Sequence, residues 1–188
     1  MTTTINADTI VGGAVVTADA SGQLALQSAG TTALTAASGN LTVANKMTVV
    51  GTSSTAGLKI ADVLETATIS ATAATGTINY DVTTQAVLYY TTNASANWTV
   101  NFRGSSGTSL NTLMATGESV TVAFFVTQGA TAYYNNAVTI DGNSVTPKYQ
   151  GGTAWSAGNA SSIDAYTYTI IKTGSAAFTV FAAQTRFA

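Results

Sequence analysis

The chain has 188 residues, of which only 7% are charged, against about 25% in an ordinary soluble domain. It contains no Cys and no His, which excludes a disulfide scaffold, thiolate or imidazole metal sites, and Cys–His or Ser–His catalysis. Six basic residues against eight acidic ones leave no electrostatic footprint for nucleic acid, and the longest strongly apolar run, Val122 to Val126, is five residues where a membrane-spanning helix needs about 20.

The N-terminal residues Met1-Thr-Thr-Thr-Ile-Asn-Ala-Asp show neither a basic nor an apolar leader, so a cytoplasmic start without a secretory signal is expected. All sixteen aromatic residues lie at or beyond Tyr80. A segment without Phe, Tyr or Trp has few large side chains to bury and makes a weak independent globule. The apolar residues in it are nevertheless patterned. Gln23-Leu-Ala-Leu-Gln, Asn40-Leu-Thr-Val-Ala and Lys46-Met-Thr-Val-Val alternate with period two and predict short strands. Each projects one apolar pair to a face: Leu24 with Leu26, Leu41 with Val43, Met47 with Val49. The string Ala20-Ser-Gly-Gln-Leu-Ala-Leu returns seventeen residues later as Ala37-Ser-Gly-Asn-Leu-Thr-Val. Glycines at 13, 22, 30, 39 and 51 mark the turns between such strands. Repeated short strands that cannot close a core alone point to association along an axis. Residues 1–55 are therefore expected to form a stranded stem or attachment segment.

Thr52-Ser-Ser-Thr-Ala-Gly opens a linker over residues 56–75. Within it, residues 58–65 have mild helical spacing that a strand would equally suit, and residues 66–72 look extended.

From residue 76 to residue 188 the pattern is that of a packed all-β domain, expected to be a jelly-roll-like β-sandwich. Strands are expected at 77–82, 86–91, 97–102, 119–127, 137–140, 144–149, 164–171 and 177–181. Trp98, Val100 and Phe102 should share one face, as should Val120, Val122, Phe124 and Val126, and Tyr166, Tyr168 and Ile170. Tyr89 and Tyr90, being adjacent, must face opposite sides. Asp141-Gly142 carries a hairpin-turn signal, and the single Pro, Pro147, pushes its strand towards a sheet edge.

No catalytic, metal or cofactor residues are expected. The eight carboxylates include no evident pair of the kind a glycosidase needs. Asp141-Gly-Asn lacks the remaining calcium-loop ligands, and Gly104-Ser-Ser-Gly lacks the Lys-Ser/Thr of a phosphate loop. Glycosylation sequons, those at Asn93, Asn97 and Asn159 among them, are expected by composition alone. Surface aromatics are the remaining candidates, because Tyr and Trp offer a flat apolar face with a polar tip. Tyr133, Tyr134, Tyr149 and Trp155 are the residues placed to meet a glycan or receptor. A surface this poor in charge repels its copies weakly, so self-association is expected, as a trimer about an axial stem.

The strings Thr17-Ala-Asp-Ala-Ser-Gly-Gln-Leu-Ala-Leu-Gln-Ser-Ala-Gly-Thr-Thr-Ala-Leu-Thr, Ile78-Asn-Tyr-Asp-Val-Thr-Thr-Gln-Ala-Val-Leu-Tyr-Tyr, Asn97-Trp-Thr-Val-Asn-Phe-Arg-Gly and Thr116-Gly-Glu-Ser-Val-Thr-Val-Ala-Phe resemble tail-fibre and other virion structural proteins of tailed bacteriophages, marine ones especially. The resemblance implies a non-enzymatic virion protein, fibre-like and trimeric, on the particle surface. Its stem would attach to other tail or capsid proteins and its head would meet the host surface, including host polysaccharide. A long tail fibre usually has a distinct anchor domain, whereas this stem begins almost at Met1. Capsid decoration is therefore the alternative expectation, followed by a donor-strand filament subunit and a polysaccharide-degrading tail enzyme.

Overall fold

Alternating apolar and polar residues become strands through most of the chain, which is all-β. The computed structural model describes residues 23–28, 31–37, 40–43, 46–49, 58 and 60–187. Residues 1–22 and most of 50–59, which carry part of the expected stem and linker, lie outside the described residues. The chain divides into two units, Met1–Asp62 and Val63–Ala188.

In the first unit, β1 (Gln23–Ser28), β2 (Thr31–Ala37) and β3 (Asn40–Val43) form an antiparallel sheet in the order β1-β2-β3. β1 and β3 fall where the alternation predicts them. β2 was not expected, because Thr31-Thr-Ala-Leu-Thr-Ala-Ala holds one large apolar residue. Residues 46–49, expected as a strand, carry no strand assignment. Leu26 and Leu41 are exposed, at 50% and 64%, so neither is covered by its own sheet.

In the second unit the chain alternates between two sheets. β4 (Ala67–Ala73), β6 (Val87–Thr92) and β8 (Ser119–Thr127) run parallel in the larger sheet. Between them, β5 (Gly76–Asp81), β7 (Trp98–Arg103) and β9 (Asn135–Ile140) run parallel in the smaller. β10 (Asn143–Val145) completes a four-stranded sheet of order β10-β9-β7-β5. β11 (Lys148–Tyr149), β12 (Ile163–Gly174) and β13 (Ala177–Phe187) complete a six-stranded one of order β11-β13-β12-β8-β6-β4. β4 lies in the span read as linker and is an edge strand of the larger sheet. Residues 60–66, by contrast, form neither helix nor strand.

The packing is sandwich-like, but jelly rolls join antiparallel strands through Greek keys, and the parallel ladders here do not follow that connectivity. The strands expected at 77–82 and 86–91 do not pair with each other; they arch from one sheet to the other. Gln85 holds this arch from a buried position. Its side-chain amide donates to Asp81 O at 3.0 Å, and its carbonyl accepts from Thr68 Oγ1 at 2.9 Å.

Parallel stacking places like on like in register: Ile78, Val100 and Val138 in one row, Tyr80, Phe102 and Ile140 in the next. These inward rows meet Phe124, Tyr166, Tyr168 and Ile170 of the larger sheet in one buried core. Trp98 lies edge-on to Tyr166 with centroids 5.6 Å apart, and Phe102 to Tyr168 at 4.9 Å. The Tyr80 hydroxyl crosses the core to donate to Ala86 O at 2.6 Å. Tyr90 packs inward on Phe124, while Tyr89 sits on the other face beside Phe125.

Two turn readings resolve in detail. Asp141 and Gly142 both have positive φ, 52° and 80°, the backbone of a two-residue hairpin turn. Pro147 splits the strand expected at 144–149 into β10 and β11, which belong to different sheets. β11 is an edge strand, as a residue without a ladder donor favours.

A single helical turn, α1 (Leu110–Leu113), rides on the β7–β8 connection. Ser109 Oγ accepts from Thr112 N at 3.0 Å, and the Asp141 carboxylate accepts from Leu110 N at 2.7 Å and Asn111 N at 3.0 Å. At the other end, buried Lys172 donates its ammonium to the carbonyls of Asn111 at 2.6 Å and Met114 at 2.8 Å. Donors and acceptors that the short helix cannot satisfy internally are thus met from outside.

Candidate functional site

Beyond Pro147 the chain reaches the β13 edge of the larger sheet, makes one 3-10 turn at Gln150–Gly152 and returns along residues 153–162 to β12. This excursion brings two of the expected aromatics together. Tyr149 and Trp155 meet edge to face with centroids 4.8 Å apart. Both are half-buried, and Trp155 also leans on Tyr166 at 5.2 Å. The Trp155 indole N–H donates to Asn135 O. Asn135 is itself fixed: its amide donates to Trp98 O at 2.9 Å and Ala137 O at 2.7 Å, and its carbonyl accepts from the Tyr168 hydroxyl at 2.9 Å. Trp155 therefore has one orientation, set by the core beneath it. Burial pushes the Tyr149 phenol up, so it is a neutral hydrogen-bonding group at ordinary pH.

Tyr133 and Tyr134 lie on the neighbouring loop, half-buried, and do not join the Tyr149–Trp155 ring pair. Their backbone is what the fold uses. Tyr133 N donates to Gln128 Oε1 at 2.9 Å while Gln128 Nε2 donates to Tyr133 O at 2.7 Å, and Tyr134 N donates to Asn97 Oδ1 at 3.0 Å. Tyr133 packs against the core.

Two shallow clefts flank the Tyr149–Trp155 pair. One, of about 240 Å³, is lined by Gln150, Thr153, Trp155 and Gln184; the other, of about 460 Å³, by Lys148, Tyr149, Thr167, Thr169 and Phe181. Gln184 Nε2 donates to Ala157 O and the Tyr166 hydroxyl, both at 3.1 Å. The lining thus combines ring edges with amides and hydroxyls. That combination suits a ligand with apolar C–H faces and many hydroxyl groups.

Beneath the same loops sits Asp164, fully buried. Its Oδ2 accepts from Gln128 Nε2 at 3.0 Å and Asn159 N at 3.1 Å, while Oδ1 has no hydrogen-bond partner. Burial raises its carboxyl above the ordinary range, opposed by those two hydrogen bonds and by Arg186. Gly158 is required here because a Cβ would overlap Tyr133 O and Asp164 Oδ2. Gln128, Asn135 and Asp164 are the residues that position the site, and sequence reasoning missed all three. Nothing in local pattern marks a polar residue whose partners lie on another loop.

Three further carboxylates, Asp81, Glu118 and the Asp141 already described, serve backbone or ion-pair roles. Asp81 pairs with Arg103 across β5 and β7, and Glu118 accepts from Ala115 N at 2.8 Å. Among the described residues, no three His, Cys, Asp or Glu gather as metal ligands, and no helix is long and apolar enough to cross a membrane. Comparison with protein families, with characterised proteins and with solved structures finds no match.

Proposed function

We propose that the chain is a non-enzymatic structural protein of a tailed-bacteriophage particle, fibre-like and trimeric, that meets polysaccharide on the host surface. Its N-terminal strands attach it to other virion proteins and draw their core from neighbouring copies. The second unit displays the recognition surface. The observation that carries this reading is the Tyr149–Trp155 pair, held rigidly by Asn135 and flanked by the amides and hydroxyls of Gln150, Thr153 and Gln184. Shallow sites of this kind bind sugars weakly, and several copies on one particle raise the avidity without any tight single site. Supporting a binding role over a hydrolytic one, Asp81, Asp141, Asp164 and Glu118 are each engaged with the fold itself.

Competition for adsorption tests this reading. Purified protein should block adsorption of the phage that carries it, and Trp155→Ala and the milder Gln150→Ala should weaken the block. Undiminished adsorption, or competition indifferent to both substitutions, would refute it.

Capsid decoration is the second reading. The exposed edge strand β4 favours it, since an open edge can pair with a neighbouring capsid subunit. Copy number on the particle separates the two, tens for a fibre and hundreds for a decoration protein.

A further inference from the structure

The outer face of the six-stranded sheet carries a groove of about 360 Å³ whose lining is entirely apolar. Val87, Tyr89, Phe125 and Ile163 are half-buried in it, and Ile69 and Phe187 stand at its rims, 62% and 52% exposed. Ile69, Tyr89 and Phe125 are direct cross-strand neighbours, so the groove is built into the sheet's own register. The rest of that face is mixed: Thr121 and Thr169 share a hydrogen bond at 3.0 Å, Thr167 is exposed, and Phe181, paired with Thr169, stands 48% exposed. A contiguous apolar hollow open to solvent marks an interaction site.

The occupant must be apolar and bring no charge, since none of the lining residues is charged and a carboxylate or ammonium seated there would lose its water without gaining a partner. A chain only 7% charged matches that requirement with its own surface. Among the exposed large apolar side chains of the described residues, Leu64 stands out furthest. Leu64 is fully exposed, at 101%, in the irregular stretch ahead of β4.

We propose that the groove is the seat for a second copy of this chain, and that Leu64 of the neighbour enters it. Resting on the trimeric reading above, this assigns the contact that makes the trimer. The surface that gives differs from the surface that receives, so the contact is head-to-tail, and in a trimer it closes into a ring. Ile69 and Phe187 exclude water around the seated leucine, and Tyr89 and Phe125 form its floor.

The test is the mass in solution of the full chain by light scattering, beside the Ile69→Lys and Leu64→Asp chains. Both positions are exposed, and near-ultraviolet dichroism of the buried aromatics checks that each variant is folded. The wild-type chain should be trimeric, and either substitution should weaken assembly at least tenfold. Because the chain has no Cys, oxidising a mixture of Leu64→Cys and Ile69→Cys chains should cross-link the two kinds to each other more than either to itself. A trimer untouched by both charged substitutions would overturn the groove while leaving the trimeric reading intact. A wild-type monomer would overturn both. Cross-links formed mainly between two Ile69→Cys chains would place groove against groove and refute the Leu64 seat.

Discussion

β1 and β3 are built from the same alternation of apolar and small polar residues as the strands of the second unit, yet the two units end differently. The second unit holds every aromatic residue and buries Trp98, Tyr80, Tyr166, Tyr168, Phe102 and Phe124 completely. The first has none to bury, and its Leu26 and Leu41 face outward. Period-two patterning specifies strands in both, but it does not supply a core. Large side chains do that, because one aromatic removes as much apolar surface from water as several alanines.

The comparison can be broken first at the aromatic core. Phe102→Ala should destabilise the second unit by about 3–5 kcal/mol, read as a lower denaturant midpoint. A loss below about 1 kcal/mol would mean that stacking in register, not aromatic bulk, holds the sheets.

A smaller effect is expected at Lys172, which is buried and donates to two carbonyls at the end of α1. Lys172→Met should remove about 1.5–3 kcal/mol and speed amide exchange over residues 110–114. Unchanged exchange there would show that Ser109 and Asp141 suffice to hold the turn.

Asp164 sharpens the comparison through pH. Its folded carboxyl is raised above 3.8 by burial, so the folded state binds that proton more tightly than the unfolded chain. Its contribution to stability is therefore full below pH 3.8 and falls as pH rises through the folded value. Asp164→Asn should flatten this dependence, and the stability gap between variant and wild type should shift in the variant's favour as pH rises from 3.5 to 7. A gap independent of pH would contradict the assignment. The smallest effect is expected in the first unit, where Leu41→Thr should change stability of the isolated chain by no more than about 0.5 kcal/mol.

Much of this was legible in the sequence. The inward faces of β7, β8 and β12 follow from alternation at Trp98–Phe102, Val122–Val126 and Tyr166–Ile170, and the Asp141–Gly142 turn from its dipeptide. Pairing partners were not legible. Alternation reports which face a residue takes and is silent on which strand lies alongside, so nothing in it shows that Gln85 grips Asp81 and Thr68 to hold an arch between two sheets. Pro147 announced an edge, but not that the chain changes sheets there. At the candidate site, Tyr149 and Trp155 could be named because Tyr and Trp combine a flat apolar face with a polar tip. Asn135, which orients Trp155, could not, since its four partners span residues 98 to 168.

The central claim, that the second unit closes its own core while β1–β3 rely on neighbouring copies, is tested most directly by hydrogen exchange of the full chain at two concentrations, one below and one above assembly. Protection in β7, β8 and β12 should be strong and equal at both concentrations, and protection in β1–β3 should appear only at the higher one. Strong protection of β1–β3 at both concentrations would contradict the claim and give the first unit a core of its own.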